Sequence, residues 1–278
     1  MAGPVAPLRV VGVDFSGARH AGRAIWIAEG SREGDAFRLV SCLPARALAD
    51  GASSREPALA ALVQYIAALG DAVVGIDVPF GLPEPLVGAD DWPGFVRRFA
   101  DRWPDPASFR ADCRAAAGGR ELRRRCDVEA RTPFSPYNLR LHKQAWHGIA
   151  GLIAPLVLTG RVVAAPMQEV APGRPVLLET CPASFLKRSG DGLYKPYKGA
   201  APALRDQRRT ILAWLVGRRY LHAPSEAHEC RILDNTGGDA LDAVIAAIIA
   251  LKGSADAANL RPREHLSRQD RLEARVYF

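Results

Sequence analysis

Two short stretches constrain this chain more than any others: RVVGVDFSG, from Arg9 to Gly17, and VVGIDVPFG, from Val73 to Gly81. Each is a run of Val, Ile and Gly that ends in a carboxylate, Asp14 in the first and Asp77 in the second. A short run that is apolar at successive positions suits a strand covered on both faces, as at the centre of an α/β sheet. Ligand sites in such sheets lie beyond the carboxyl ends of the strands. If the two strands are neighbours, Asp14 and Asp77 converge on one place.

The rest of the pattern agrees with an α/β sheet. Residues 8–14, 23–29 and 36–43 predict a three-stranded antiparallel meander, separated by turns rich in Gly and charge. Residues 53–69 predict a helix, with Ser53 or Ser54 as its cap and Pro57 in its first turn. A fourth strand follows at 71–77. Residues 79–136 are dense in Pro, Arg and aromatic side chains and predict helical pieces, with a longer helical pattern at 138–158. This segment, about 79–160, is an insertion expected to cap one end of the sheet. Strands are expected at 161–166 and 175–180, and helices at 203–219 and 237–253. The C-terminal EARVYF is either an edge strand or a frayed end. No repeat or linker divides the chain, which predicts one domain over 1–278.

Three further acidic residues fall in suggestive places. Glu179 ends the strand VLLET in a third place matching Asp14 and Asp77, and Asp239 and Asp242 open the helix GGDALDAVIAAIIALKG three residues apart, on one face. An aspartate at a strand end is commonly a turn former, and one at a helix start is commonly a cap. Asp242 is harder to explain so, because its helix is otherwise Ala, Ile, Val and Leu. Several carboxylates held together force protonation unless cations neutralise them. Hard divalent cations with oxygen ligands do so, and a pair of them can promote in-line hydrolysis of a phosphodiester. The expected ligands of Mg²⁺ or Mn²⁺ are Asp14, Asp77 and Asp242, completed by Asp239 or Glu179.

Four motifs in order, VGVDFSG, GIDVPFGLP, LLETCPASFLK and GGDALDAVIAA, together with TPFSPYN and YKPYKG, make the chain resemble the domain of unknown function 429 family of the ribonuclease H-like superfamily. The resemblance implies a five-stranded mixed sheet, three strands of it antiparallel, flanked by helices, and a metal-dependent nuclease activity. It places Asp14 as the first-strand aspartate, Asp77 as the fourth-strand carboxylate, Asp239 and Asp242 as the acidic pair of the last helix, and Glu179 at a Glu-x-x-Pro position. Classical ribonuclease H takes a glutamate from its first long helix, where this chain offers only Glu56.

The charge supports a polyanionic partner, DNA or RNA: 37 basic against 30 acidic side chains give +7. Lys187, Lys195 and Lys198 are the expected substrate phosphate contacts, with Tyr194 and Tyr197 interleaved for stacking. Arg140 and Lys143 are further candidates, and RELRRRC (120–126) and RDQRR (205–209) are basic runs that suit either phosphates or a solvated face. Five scattered cysteines, with no Cys-x-x-Cys pair, argue against a disulfide framework and fit a reducing compartment. Cys181 as a thiol nucleophile would need a positioned histidine. His222, His228 and Cys230 lack a fourth zinc ligand. The start of the chain shows no secretory pattern and no apolar run reaches a membrane span, so a cytoplasmic protein is expected. Two other functions remain open: a catalytically inactive module that binds nucleic acid or protein, and a phosphotransferase of actin-like architecture.

Overall fold

The computed structural model describes residues 8–190, 192–261 and 268–278. The start of the chain, on which the reading of the N-terminus rests, lies outside the described residues. Strands β1 (Arg9–Asp14), β2 (Trp26–Glu33) and β3 (Ala36–Pro44) form the expected antiparallel meander. Strand β4 (Ala72–Asp77) lies parallel to β1, and β6 (Val176–Thr180) lies parallel to β4. The sheet runs β3-β2-β1-β4-β6. Two strands of two residues each share the outer edge of β6: β5 (Val163–Ala164) beside its start and β7 (Val276–Tyr277) beside its end. The sheet therefore has seven strands, two more than the resemblance implies. The expected strand at 161–166 shrinks to two residues because its chain turns away at Ala165-Pro166, and the C-terminal segment pairs rather than frays.

The helices divide between the two faces. On one face lie α1 (Arg55–Ala67), α2 (Trp92–Arg102), α3 (Pro106–Ala116), the short α4 (Arg125–Ala130), and a rod that begins as α5 (His142–Gly148), loosens into π-helix at Ile149–Ile153 and ends at Leu158. Strand side chains Val11, Val13, Val74 and Ile76 pack there with Leu62 and Ile66 of α1 and with the rings of Phe95, Phe99, Trp103 and Phe109. Those rings meet edge-on or tilted, at centroid distances of 5.2 to 5.5 Å. The insertion thus covers a face of the sheet and extends its core, and its residues 124–144 also lie over the carboxyl ends of β4 and β6, as expected of a cap. Its aromatic residues are the reason: each buries enough apolar area to demand a place in the interior.

On the other face lie α6 (Pro182–Arg188), α7 (Pro202–Gly217) and α8 (Asp239–Ser254). Helix α8 is buried from Ala240 to Leu251, against Val10, Val73 and Leu178 of the sheet. Burying its Ile and Leu side chains stabilises the docking by about 1.5–3 kcal/mol each. A last helix, α9 (Arg268–Glu273), leads into β7. Among the described residues no helix is long and apolar enough to cross a membrane.

Candidate functional site

Two glycines let α8 approach the sheet. Gly12 and Gly75 are paired in register on β1 and β4. A Cβ on Gly12 would stand 2.0 Å from the Ala243 carbonyl oxygen and 2.3 Å from Ala247 N, and one on Gly75 would stand 2.4 Å from the Ala246 carbonyl oxygen. The helix backbone therefore rests almost directly on the strands. Strand side chains alternate faces, so the residues two steps beyond these glycines, Asp14 and Asp77, point the same way. They are themselves paired in register. Helix α8 begins over them and supplies Asp239 and Asp242 from its first turn.

The four carboxylates influence one another strongly. Asp14 and Asp242 are buried, and Asp77 and Asp239 are half-buried. Burial, and then Asp242, raises the Asp14 carboxyl well above the ordinary range. The same two causes push Asp77 up to about 7. Asp239 is raised as well, by burial and by Asp242. The opposing charge is Lys198, whose Nζ lies 2.6 Å from Asp242 Oδ2. Burial alone would lower its pKa, yet Asp242, Asp14 and Asp239 hold its ammonium above the ordinary value. Tyr197 donates its hydroxyl to Asp242 Oδ1 at 2.7 Å. The loop carrying both residues is fixed by the buried Arg208, which donates from Nη1 to the carbonyls of Tyr197 (2.5 Å) and Gly199 (3.1 Å) and from Nε to that of Leu233 (2.9 Å).

Glu179 leaves the sheet on the other side from this group, although its charge adds to the rise at Asp77. It pairs in register with Ile76, not Asp77, and it follows Leu178, which faces α8, so it points to the opposite face. There Arg124, itself 1% exposed, grips both its carboxylate oxygens, and Phe80 N donates to it at 2.8 Å. The same guanidinium donates to both oxygens of Asp127, at 2.8 and 2.9 Å. The expectation that Glu179 completes the acidic site is therefore corrected. A strand offset of one residue reverses a side chain, and Thr180 takes the place in the row beside Asp77. Its hydroxyl is buried without a hydrogen-bond partner. Glu56 is exposed on α1 and pairs with Arg55, so it does not join either.

The expected phosphate contacts separate. Lys198 is at the acidic cluster, half exposed but tied to Asp242. Lys187 lies 4.5 Å from the Tyr194 ring centre and 3.4 Å from the Arg131 carbonyl, and Lys195 is exposed on the loop before Tyr197. Tyr197 is buried and cannot stack on a base, whereas Tyr194 is exposed. Arg140 and Lys143 are exposed on the insertion. Two residues from the basic runs, Arg124 and Arg208, are internal braces rather than phosphate ligands. Sequence reading missed Tyr197, Thr180 and both arginines in these roles. The paired glycines two residues before Asp14 and Asp77 were the available signal for the helix contact. Cys181 is poorly suited to act as a nucleophile, because burial pushes its thiol up to about 12 and Ser184 Oγ donates to its Sγ at 3.0 Å.

The donor chemistry fits a hard divalent cation. It consists of oxygen atoms, with more carboxylates than the Lys198 ammonium neutralises. Among the described residues, however, no three His, Cys, Asp or Glu side chains are arranged to hold a metal ion as they stand. Neither a curated protein nor a solved structure matches the chain. Residues 12–266, which include every member of the acidic cluster, match the family described as "Protein of unknown function (DUF429)", and the chain belongs to that family.

Proposed function

We propose that this protein is a metal-dependent nuclease of ribonuclease H-like architecture that hydrolyses phosphodiester bonds in nucleic acid. The observation that carries the reading is the in-register pair Asp14 and Asp77 beneath Asp242, with two of the three carboxyl groups raised by burial and mutual repulsion. Such crowding is costly without added positive charge. The antiparallel meander beside parallel strands supports the architecture that the resemblance implies.

Asp14, Asp77 and Asp242 would hold Mg²⁺ or Mn²⁺, with Asp239 alongside. Ions bound there would supply positive charge at the scissile phosphate and would acidify the attacking water. The protein's own part is positional. Tyr197 and Lys198 fix the two oxygens of Asp242, and the exposed side of Lys198 is available to a phosphate oxygen.

The test is cleavage of single- and double-stranded DNA and RNA with Mg²⁺ or Mn²⁺. Asp14→Asn and Asp242→Asn should each reduce it by at least about 100-fold, beyond the 10–100-fold typical of residues that merely support metal ligands. Absence of cleavage with every substrate and cation removes the proposal. One observation favours a second reading, a binding module without turnover: Lys198 already neutralises Asp242. Salt-dependent binding that survives Asp14→Asn, with no cleavage by the parent protein, would select it.

A further inference from the structure

A hollow of about 170 Å³ lies beside the acidic cluster, beyond the ends of β4 and β6. Asp77 forms part of its wall, so whatever fills it sits next to the carboxylates. We propose that it is a subsite for a single nucleobase, the one adjoining the phosphate held at Asp14, Asp77 and Asp242; the assignment rests on the nuclease reading and adds to it a grip on the base.

Size and lining both point to a ring. The hollow is well below the ~300 Å³ at which pockets for drug-sized ligands begin, which suits one ring system and not a whole nucleotide. Pro79, Pro133 and Phe134 contribute flat apolar surface, and bases stack on aromatic side chains whatever their identity, since each base has a π-face. The charged groups in the wall are Asp77, Arg124, Asp127 and Glu179; the one guanidinium is shared between Asp127 and Glu179, so the wall offers no free cation to hold a phosphate and suits a ligand part without negative charge. Two neutral polar groups remain. Thr180 is 2% exposed and its hydroxyl has no partner, a state that is costly unless something completes it. Gln144 is anchored through Nε2 on the Asp77 carbonyl at 2.8 Å, which holds its amide oxygen for a base edge. The Arg140 guanidinium lies 5.5 Å from the Phe134 ring centre and places positive charge near the rim, where the strand's phosphates would continue.

The test uses nucleosides, which carry the base without phosphate, against the full-length protein in the absence of divalent cations. Binding of adenosine, guanosine, cytidine and uridine is followed by titration with ligand-observed NMR. At least one should bind saturably. Phe134→Ala should weaken it about tenfold or more, and Thr180→Val should change the preference among the four. Ala183→Leu, which fills the hollow from a half-buried wall position, should abolish it, and serves if Phe134→Ala does not fold. Asp14→Asn should leave nucleoside binding intact. No saturable binding, binding indifferent to both Phe134→Ala and Ala183→Leu, or indole binding as tightly as any nucleoside would overturn the assignment. The two proposals fail separately. Cleavage without nucleoside binding removes the subsite and keeps the nuclease; nucleoside binding without cleavage does the reverse.

Discussion

Glu179 lies one step out of register with Asp77: it is paired with Ile76, so the two carboxylates leave neighbouring strands on opposite faces of the sheet. On its face Glu179 is locked to Arg124, which also holds Asp127 and donates to the Glu273 carbonyl at 3.1 Å. This network ties α4 and the segment before β7 to the end of β6. Breaking a buried ion pair from one side costs about 3–5 kcal/mol, since the remaining charge is left uncompensated. Arg124→Met should therefore lose about that much stability in urea unfolding. A loss below about 1 kcal/mol would mean that the network does not brace the fold.

Gly12 allows the backbone of α8 to settle on β1, and this contact sets the height of Asp242 over Asp14. The Cβ of Gly12→Ala would collide with backbone atoms of Ala243 and Ala247, which cannot rotate aside. Overpacking of a core typically costs about 1–3 kcal/mol. Because the atoms met are helix backbone at 2.0 and 2.3 Å, the upper end of that range is expected, with the thermal midpoint falling accordingly. Gly70→Ala is a poor control, because Gly70 has φ of +67°; Gly217→Ala, which has open space around its Cβ, should leave the midpoint nearly unchanged. Equal effects at Gly12 and Gly217 would refute the close-contact argument.

The sequence made the sheet legible where periodicity and composition act locally. The strands ending in Asp14 and Asp77, the meander and helix α8 all follow from apolar runs bounded by Gly and charge. Asp14, Asp77, Asp239 and Asp242 come together because adjacent parallel strands and a glycine-seated helix leave them little choice. Glu179 was misplaced because register is a tertiary property: a strand tip can be located in a sequence to within a residue, and one residue decides the face. The basic runs were ambiguous for a related reason. Arg124 and Arg208 look like their exposed neighbours in sequence, and only the fold supplies the carboxylates and carbonyls that make burying them tolerable. The Tyr197 and Lys198 contacts with Asp242 span more than forty residues of chain, beyond any local pattern.

Tyr197 and Lys198 hold separate oxygens of Asp242, and their losses should differ. Tyr197→Phe removes a hydrogen bond to a buried carboxylate and should cost about 1.5–3 kcal/mol, the range for bonds to charged groups. Lys198→Met removes a half-exposed charge, so solvent screening keeps its direct Coulombic contribution smaller, about 1 kcal/mol. It also leaves the carboxylates without their ammonium. Millimolar Mn²⁺ should then raise the thermal midpoint of Lys198→Met more than that of the parent protein, since binding to the native state alone stabilises it. A Mn²⁺ shift no larger in the variant would show that Lys198 and a cation do not serve the same charge.

Asp77 gives the site a pH signature. Its carboxyl is raised to about 7 by burial and by Asp242, against the pull of Lys198, whereas in the unfolded chain it titrates near ~3.9. Between about pH 4 and pH 7 the native protein therefore holds a proton that the unfolded chain has released. By linkage, this group lowers stability as pH rises through that window, and the loss is complete above about 7. Asp14, also raised, acts in the same direction. Asp77→Asn removes only the Asp77 contribution, so the variant should gain on the parent protein as pH rises from 4 to 8. One pKa unit corresponds to ~1.4 kcal/mol, and with allowance for the partial exposure of Asp77 a gain of about 1–2 kcal/mol is expected. Urea unfolding at pH 4, 5, 6, 7 and 8 in buffers without divalent cations measures it. A difference between variant and parent that stays constant across that range would show that Asp77 is ionised throughout, and that the carboxylates are less crowded than their shared register implies.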